Sequence, residues 1–99
     1  MIRLKKGKAY FIQVYDAVDE GIYIGKDRRY RFFESRNSYI ATDDFLTVMV
    51  DGKVTHRNGR FNSPIFIPKN TEFVGSKEMR SRLMKVLKKE NLTFHKSSY

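Results

Sequence analysis

The chain has no cysteine, no tryptophan and only two prolines among its 99 residues. Without cysteine there is no disulfide framework, no thiolate nucleophile and no zinc–cysteine centre. No apolar run approaches the roughly 18–20 residues of a membrane-spanning helix. The opening MIRLKKGKAYFIQV lacks the apolar stretch of a signal peptide. These absences predict a soluble cytoplasmic protein with no membrane partner. Reaction signatures are missing too. GIYIGKD has three residues between its glycines where a phosphate loop needs four, and Asp27 stands where Ser or Thr would reach magnesium. There is no nucleophile elbow, metal-binding helix motif or dinucleotide fingerprint, so no enzyme activity, cofactor or metal is expected.

Positive charge is abundant. The formal charge is +9, and its placement is uneven. Residues 1–36 hold nine basic and five acidic side chains, residues 37–75 four of each, and residues 76–99 seven against two. A charge excess at both ends speaks to association with polyanions rather than to fold. The length suits one domain over 1–99: β-rich through 75, a helix at about 76–91, and a tail at 92–99.

Short elements separated by Gly, Pro and Asn predict most of the fold. AYFIQVY (9–15) is rich in aromatic and β-branched residues and reads as a strand. Tyr10, Ile12 and Val14 share one face, Phe11, Gln13 and Tyr15 the other. Apolar bulk on both faces predicts a central, mostly covered strand. DAVDEG reads as a turn, 21–24 and 30–34 as strands, and the polar stretch 35–44 as a loop. LTVMV (46–50) is a strand ending at Asp51-Gly52, a tight-hairpin signal, with 54–57 as its return. Asn58-Gly59 is a second such signal. Pro64 and Pro68 bracket Ile65–Ile67, which restricts that run to an edge. Residues 72–74 offer a last short strand. Ser76 is a helix cap, and Met79, Leu83, Val86 and Leu87 form one apolar stripe that ends near Asn91. The fold class is therefore α+β, mostly β: a strongly bent antiparallel sheet or SH3-like partial barrel with one C-terminal amphipathic helix.

The opening LKKGKAYFIQVYD…GIYIGKDRRYRFF resembles SH3-like and KOW-type small barrels over about its first 35 residues. Those barrels begin with a Lys-Gly-rich strand entrance, a long first loop and a glycine-punctuated second strand. The resemblance implies nucleic acid, a ribosome or a polymerase as partner. The short, cysteine-free, Lys- and Tyr-rich style is also similar to small accessory proteins of bacteriophages, which implies a bacterial host cytoplasm.

Two basic strips carry the functional reading. In GKDRRYRFFE, strand alternation puts Tyr30 and Phe32 on one face and Arg29, Arg31 and Phe33 on the other. Lys26, Arg28, Arg29 and Arg31 would track phosphates, with Tyr30 available for base stacking. On the helix, Arg82, Lys85 and Lys89 fall at i, i+3 and i+7 along one side. Together the strips predict a non-enzymatic nucleic-acid-binding module, RNA favoured over DNA. The alternative is a phage-encoded modulator docking on a host protein or ribonucleoprotein complex. His56 and His95, the only histidines, would form a ribonuclease only if they met. Asp43, Asp44 and Asp51 read as turn residues before they read as magnesium ligands.

Overall fold

The computed structural model describes residues 3–57, 59–70 and 77–96. Among the described residues seven strands precede one helix: β1 (Ala9–Val14), β2 (Ala17–Lys26), β3 (Tyr30–Glu34), β4 (Ser38–Asp43), β5 (Met49–Val50), β6 (Lys53–Val54), β7 (Ile65–Pro68) and α1 (Lys77–Lys89). They form one bent sheet of order β6-β5-β1-β2-β3-β4-β7, in which every neighbouring pair is antiparallel. The sheet stays open, with β6 and β7 at its edges, so the expected α+β, mostly β class holds. The readings at 58, 72–74 and Ser76 lie outside the described residues.

Several elements follow directly from local chemistry. Asp51 and Gly52 both take positive φ, 52° and 73°, closing the β5–β6 hairpin as its sequence predicts. The helix ends where Asn91 adopts φ 58°. There Leu92 N–H donates to the Leu87 carbonyl at 2.8 Å and Asn91 N–H to that of Lys88 at 3.2 Å, a Schellman closure. β7 pairs only with β4, the edge position its two prolines demand.

Other elements depart from expectation. DAVDEG is not a loop: β2 already runs from Ala17, and only Tyr15 and Asp16 turn the chain. The stretch 35–44 contains β4, whose Tyr39, Ile40, Ala41, Thr42 and Asp43 are all buried. Its polar composition conceals a strand covered on both faces. A bulge between Tyr23 and Gly25 shifts the β2–β3 register and bends the sheet. Gly25 supports it with φ 137°, in a region that side chains avoid.

Burial divides by sheet face. Met79, Leu83, Val86 and Leu87 of α1 pack on Ile24, Phe32, Tyr39, Ala41 and Ile67. On the opposite face Tyr10, Ile12, Val14, Tyr23, Phe33, Ile40, Val48 and Val50 gather, with Leu4 against them. A sheet covered on both sides thus makes two clusters within the one domain that the length suits. Gly21 permits the second. A Cβ there would stand 2.9 Å from Cβ of Phe33 and 3.2 Å from Cδ1 of Ile12.

The helix does not reach β1. Cross-strand pairs Phe11–Glu20, Gln13–Val18 and Ala9–Ile22 share the helix-side face, yet Phe11 and Val18 remain 54% and 56% exposed. The expectation that β1 is covered on both faces therefore fails. One short helix spans only the β3–β4–β7 part of the sheet and the end of β2. No helix among the described residues is long and apolar enough to cross a membrane.

Candidate nucleic-acid interface

The two basic strips meet at the β2–β3 turn, residues 27–29. Asp27 organises that turn. Its Oδ1 accepts the Arg29 and Tyr30 backbone N–H groups at 2.8 and 2.7 Å, and its N–H donates to the Tyr30 carbonyl at 3.0 Å. This is the local side-chain-to-backbone bonding that makes Asp a turn residue. Its second oxygen, Oδ2, accepts from Nη1 of Arg82 on α1 at 3.1 Å. Burial works to raise the Asp27 pKa. The two backbone N–H groups and the Arg82 guanidinium outweigh it and hold the carboxyl below its ordinary value. A second tie joins helix and turn: Lys89 Nζ donates to the Lys26 carbonyl at 2.7 Å.

Between turn and helix lies a groove of about 530 Å³ lined by Asp27, Arg28, Glu78, Ser81, Arg82 and Lys85. Arg28 and Lys85 are exposed, and neither has a carboxylate partner among the described residues. Arg82 is tied to Asp27 and Glu78. Arg29 is tied to Asp43, at 3.0 Å from Nη2. Both guanidiniums also sit over Tyr30, 5.4 Å (Arg82) and 5.7 Å (Arg29) from its ring centroid. Tyr30 is half-buried against the helix-side core. The expected role for Tyr30 as an exposed stacking platform is thus corrected: its ring is occupied by core contacts and two arginines.

Arg31 requires the larger correction. Alternation places it on the face away from the helix, as expected, but that face is not solvent. Arg31 is 8% exposed. Its Nε donates to Asp44 Oδ1 at 2.5 Å and its Nη2 to the Asp44 carbonyl at 3.3 Å. Lys26 Nζ takes the other carboxylate oxygen at 3.1 Å. Burial raises the Asp44 pKa, but the Arg31 and Lys26 bonds dominate and lower it. The cover over Arg31 comes from distant segments: Leu4, Phe45, Thr55 and His56 line a cavity of about 400 Å³ with Tyr23, Lys26, Arg31 and Asp44. Burial pushes the Tyr23 phenol up, with Arg31 pulling the other way.

Of the seven basic residues in the two strips, Arg28, Lys85 and Lys89 thus carry no ion pair among the described residues, while Lys26, Arg29, Arg31 and Arg82 are ion-paired. Sequence reasoning missed Leu4, Tyr23 and Phe45, and did not place His56 beside Arg31, because nothing in their spacing brings them there. The N-terminal segment that carries Leu4 also holds Arg3 and Lys5, both exposed.

The two histidines do not meet. His56 Nε2 lies 2.5 Å from the Asp44 carbonyl, beside Arg31. His95 Nδ1 lies 2.6 Å from Glu34 Oε2, and its backbone N–H donates to the Tyr39 hydroxyl at 3.0 Å. Glu34 and Arg31 point to opposite faces of β3. Among the described residues no three His, Asp or Glu side chains gather as metal ligands. Asp43, Asp44 and Asp51 bond instead to Arg29, Arg31 and the Phe11 N–H.

No family model, curated protein or solved structure matches the chain. The interface therefore stands on its own geometry.

Proposed function

We propose that the protein is a non-enzymatic nucleic-acid-binding module that holds a single-stranded phosphate backbone along the β2–β3 turn and α1. The observation that carries this is one open groove that brings Arg28 of the first strip beside Arg82 and Lys85 of the second, with Arg28 and Lys85 unclaimed by any described carboxylate. The paired arginines serve a different purpose. Arg82 and Arg29 hold the turn rigid, so that the free cations are presented at fixed positions. RNA is favoured over DNA because sequence-specific RNA recognition by small sheet modules targets splayed single strands. Filter binding of labelled single-stranded RNA and DNA across a salt series tests the reading. Affinity should fall steeply as salt rises, because each phosphate contact releases a counterion. No binding at low salt, or binding indifferent to salt, rejects it.

A second reading is favoured by a different surface. Phe11, Val18 and Ile22 stand exposed on the uncovered half of the helix-side face, which suits a modulator docking on a host protein. A pull-down from bacterial lysate separates the two. A partner retained after nuclease treatment supports docking, and a partner lost supports nucleic acid.

A further inference from the structure

We propose that the outer half of the β1–β2 hairpin docks on a cationic protein surface, one that presents apolar side chains ringed by Lys or Arg. This rests on the docking reading above and names the chemistry of its partner.

The hairpin forms an arm. β3 pairs with β2 only from Ile22 onward, so residues 17–21 pair with β1 alone among the described residues. A two-stranded ribbon is marginally stable by itself. This one nevertheless leaves apolar bulk in water. Phe11, Val18 and Ile22 stand exposed on the helix-side face, and Tyr15 stands exposed at the hairpin tip. Exposed apolar side chains grouped on one element mark an interaction surface, and buried aromatic anchors dominate the energetics of such surfaces.

Charge sets this arm apart from the rest of the chain. The protein carries +9, yet residues 9–25 hold three acidic side chains and no Lys or Arg. Ion pairing follows the same division. Asp27, Glu34, Asp43, Asp44, Glu78 and Glu90 each meet a cation. The described carboxylates without an ion pair are Asp16, Asp19, Glu20 and Asp51. All four belong to the arm or touch it. Asp16 turns the hairpin, Asp19 and Glu20 follow Val18 on β2, and Asp51 Oδ1 accepts the Phe11 N–H at 2.7 Å.

Cations at the border do not neutralise the patch. Lys69 and His95 are bonded to Glu34. Lys8 sits over the ring of Tyr10, which packs in the core of the opposite face. Lys53 pairs with Val50, opposite Ile12, and so belongs to that other face too. Arg36 lines a depression of about 650 Å³ together with Asp19, Glu20 and Ile22, one cation against two unpaired carboxylates.

These features choose the occupant. Uncompensated carboxylates repel phosphates, so neither nucleic acid nor an anionic membrane suits this face. A second copy docked by twofold symmetry would set the same carboxylates against one another. A protein segment with apolar side chains at its centre and Lys or Arg at its rim meets both the exposed apolar groups and the unpaired acids. The groove at residues 27–29 lies at the other end of β2, so the two surfaces are separate.

The test is an amide NMR titration of the isotope-labelled full chain with three synthetic peptides of equal length: leucine with lysine, leucine with glutamate, and serine with lysine. The leucine–lysine peptide is expected to shift the amides of Phe11, Val18, Glu20 and Ile22 and to leave those of Arg28 and Lys85 in place. The serine–lysine peptide should bind about 10-fold more weakly or not at all, because it lacks the apolar contact. Phe11→Thr/Val18→Thr, which keeps strand-forming residues at exposed positions, should abolish the shifts. Asp19→Asn/Glu20→Gln should weaken them by about 10-fold. Unchanged binding in either double variant overturns the proposal, as do leucine–lysine shifts that fall outside the arm. Shifts of the arm that follow protein concentration with no peptide present make a second copy the occupant and overturn it too. Equal binding of the leucine–glutamate peptide at the arm overturns the cationic partner and leaves the docking reading standing. Where no peptide binds, the proposal fails; a nuclease-resistant partner then captured by the unmodified protein but not by Phe11→Thr/Val18→Thr keeps the docking reading, and no such partner removes both.

Discussion

Of the guanidinium–carboxylate pairs around the β2–β3 turn, two lie on opposite faces of the sheet, and they differ in their cover. On the helix side Arg82 meets Asp27, with both side chains about one-fifth exposed. On the other side Arg31 meets Asp44, with Arg31 half as exposed as Arg82. The helix-side pair opens onto a groove. The opposite pair lies beneath segments from the N-terminus and from the region after β4. A pair near solvent is screened and contributes little, whereas a buried pair is costly to break because the surviving charge is stranded. The same residue type thus acts as a surface clamp on one side of β3 and as a buried structural group on the other.

Substitutions can sharpen or break that contrast. The largest effect is expected on the helix side, from packing rather than charge. Leu83 is fully buried, so Leu83→Ala should lower stability by about 3 kcal/mol through lost transfer energy and a cavity, while Met84→Ala on the exposed side of α1 should leave urea melts nearly unchanged. Next comes the buried pair. Arg31→Ala should cost about 2–4 kcal/mol, and Arg82→Ala should leave the urea midpoint close to that of the unmodified protein; equal shifts would dissolve the distinction between the two flanks. Gly21→Ala should cost about 1–3 kcal/mol, because a methyl there collides with Phe33 beneath the Arg31-side cluster.

A smaller effect is expected from acid. The carboxyls of Asp27, Asp44 and Glu34 all titrate below their ordinary values in the folded protein. The stability they contribute is complete above the unfolded carboxylate range and is lost as pH falls through the depressed folded values. Thermal melts should therefore be flat from neutrality to about pH 5 and decline below about pH 4. Asp44→Asn should flatten part of that decline; a decline of the same depth in Asp44→Asn would remove Asp44 as a contributor.

Much of this architecture could be read from the residues. Met79, Leu83, Val86 and Leu87 announce the helix stripe, Asp51-Gly52 the hairpin, and YRFFE the strand, because each signal is local. The β4 strand is hidden because SYIATD buries Thr42 and Asp43 beside its apolar residues. The meeting of the strips was visible as a question only: i, i+3, i+7 spacing aligns Arg82, Lys85 and Lys89 but cannot say what they face. Burial of Arg31 was not legible at all. Its cover comes from Leu4, Phe45 and His56, brought there by the tertiary fold, and alternation around Phe32 names a face without naming what lies on it.

The central claim is that cations at the junction of turn and helix hold a phosphate backbone. It is tested most directly by comparing the salt dependence of RNA binding in the unmodified protein with that of Arg28→Glu/Lys85→Glu, two exposed positions whose change should spare the fold. The account predicts weaker binding for the double variant and a log–log salt slope shallower by roughly one to two contacts. Identical affinity and slope in the two proteins would contradict it.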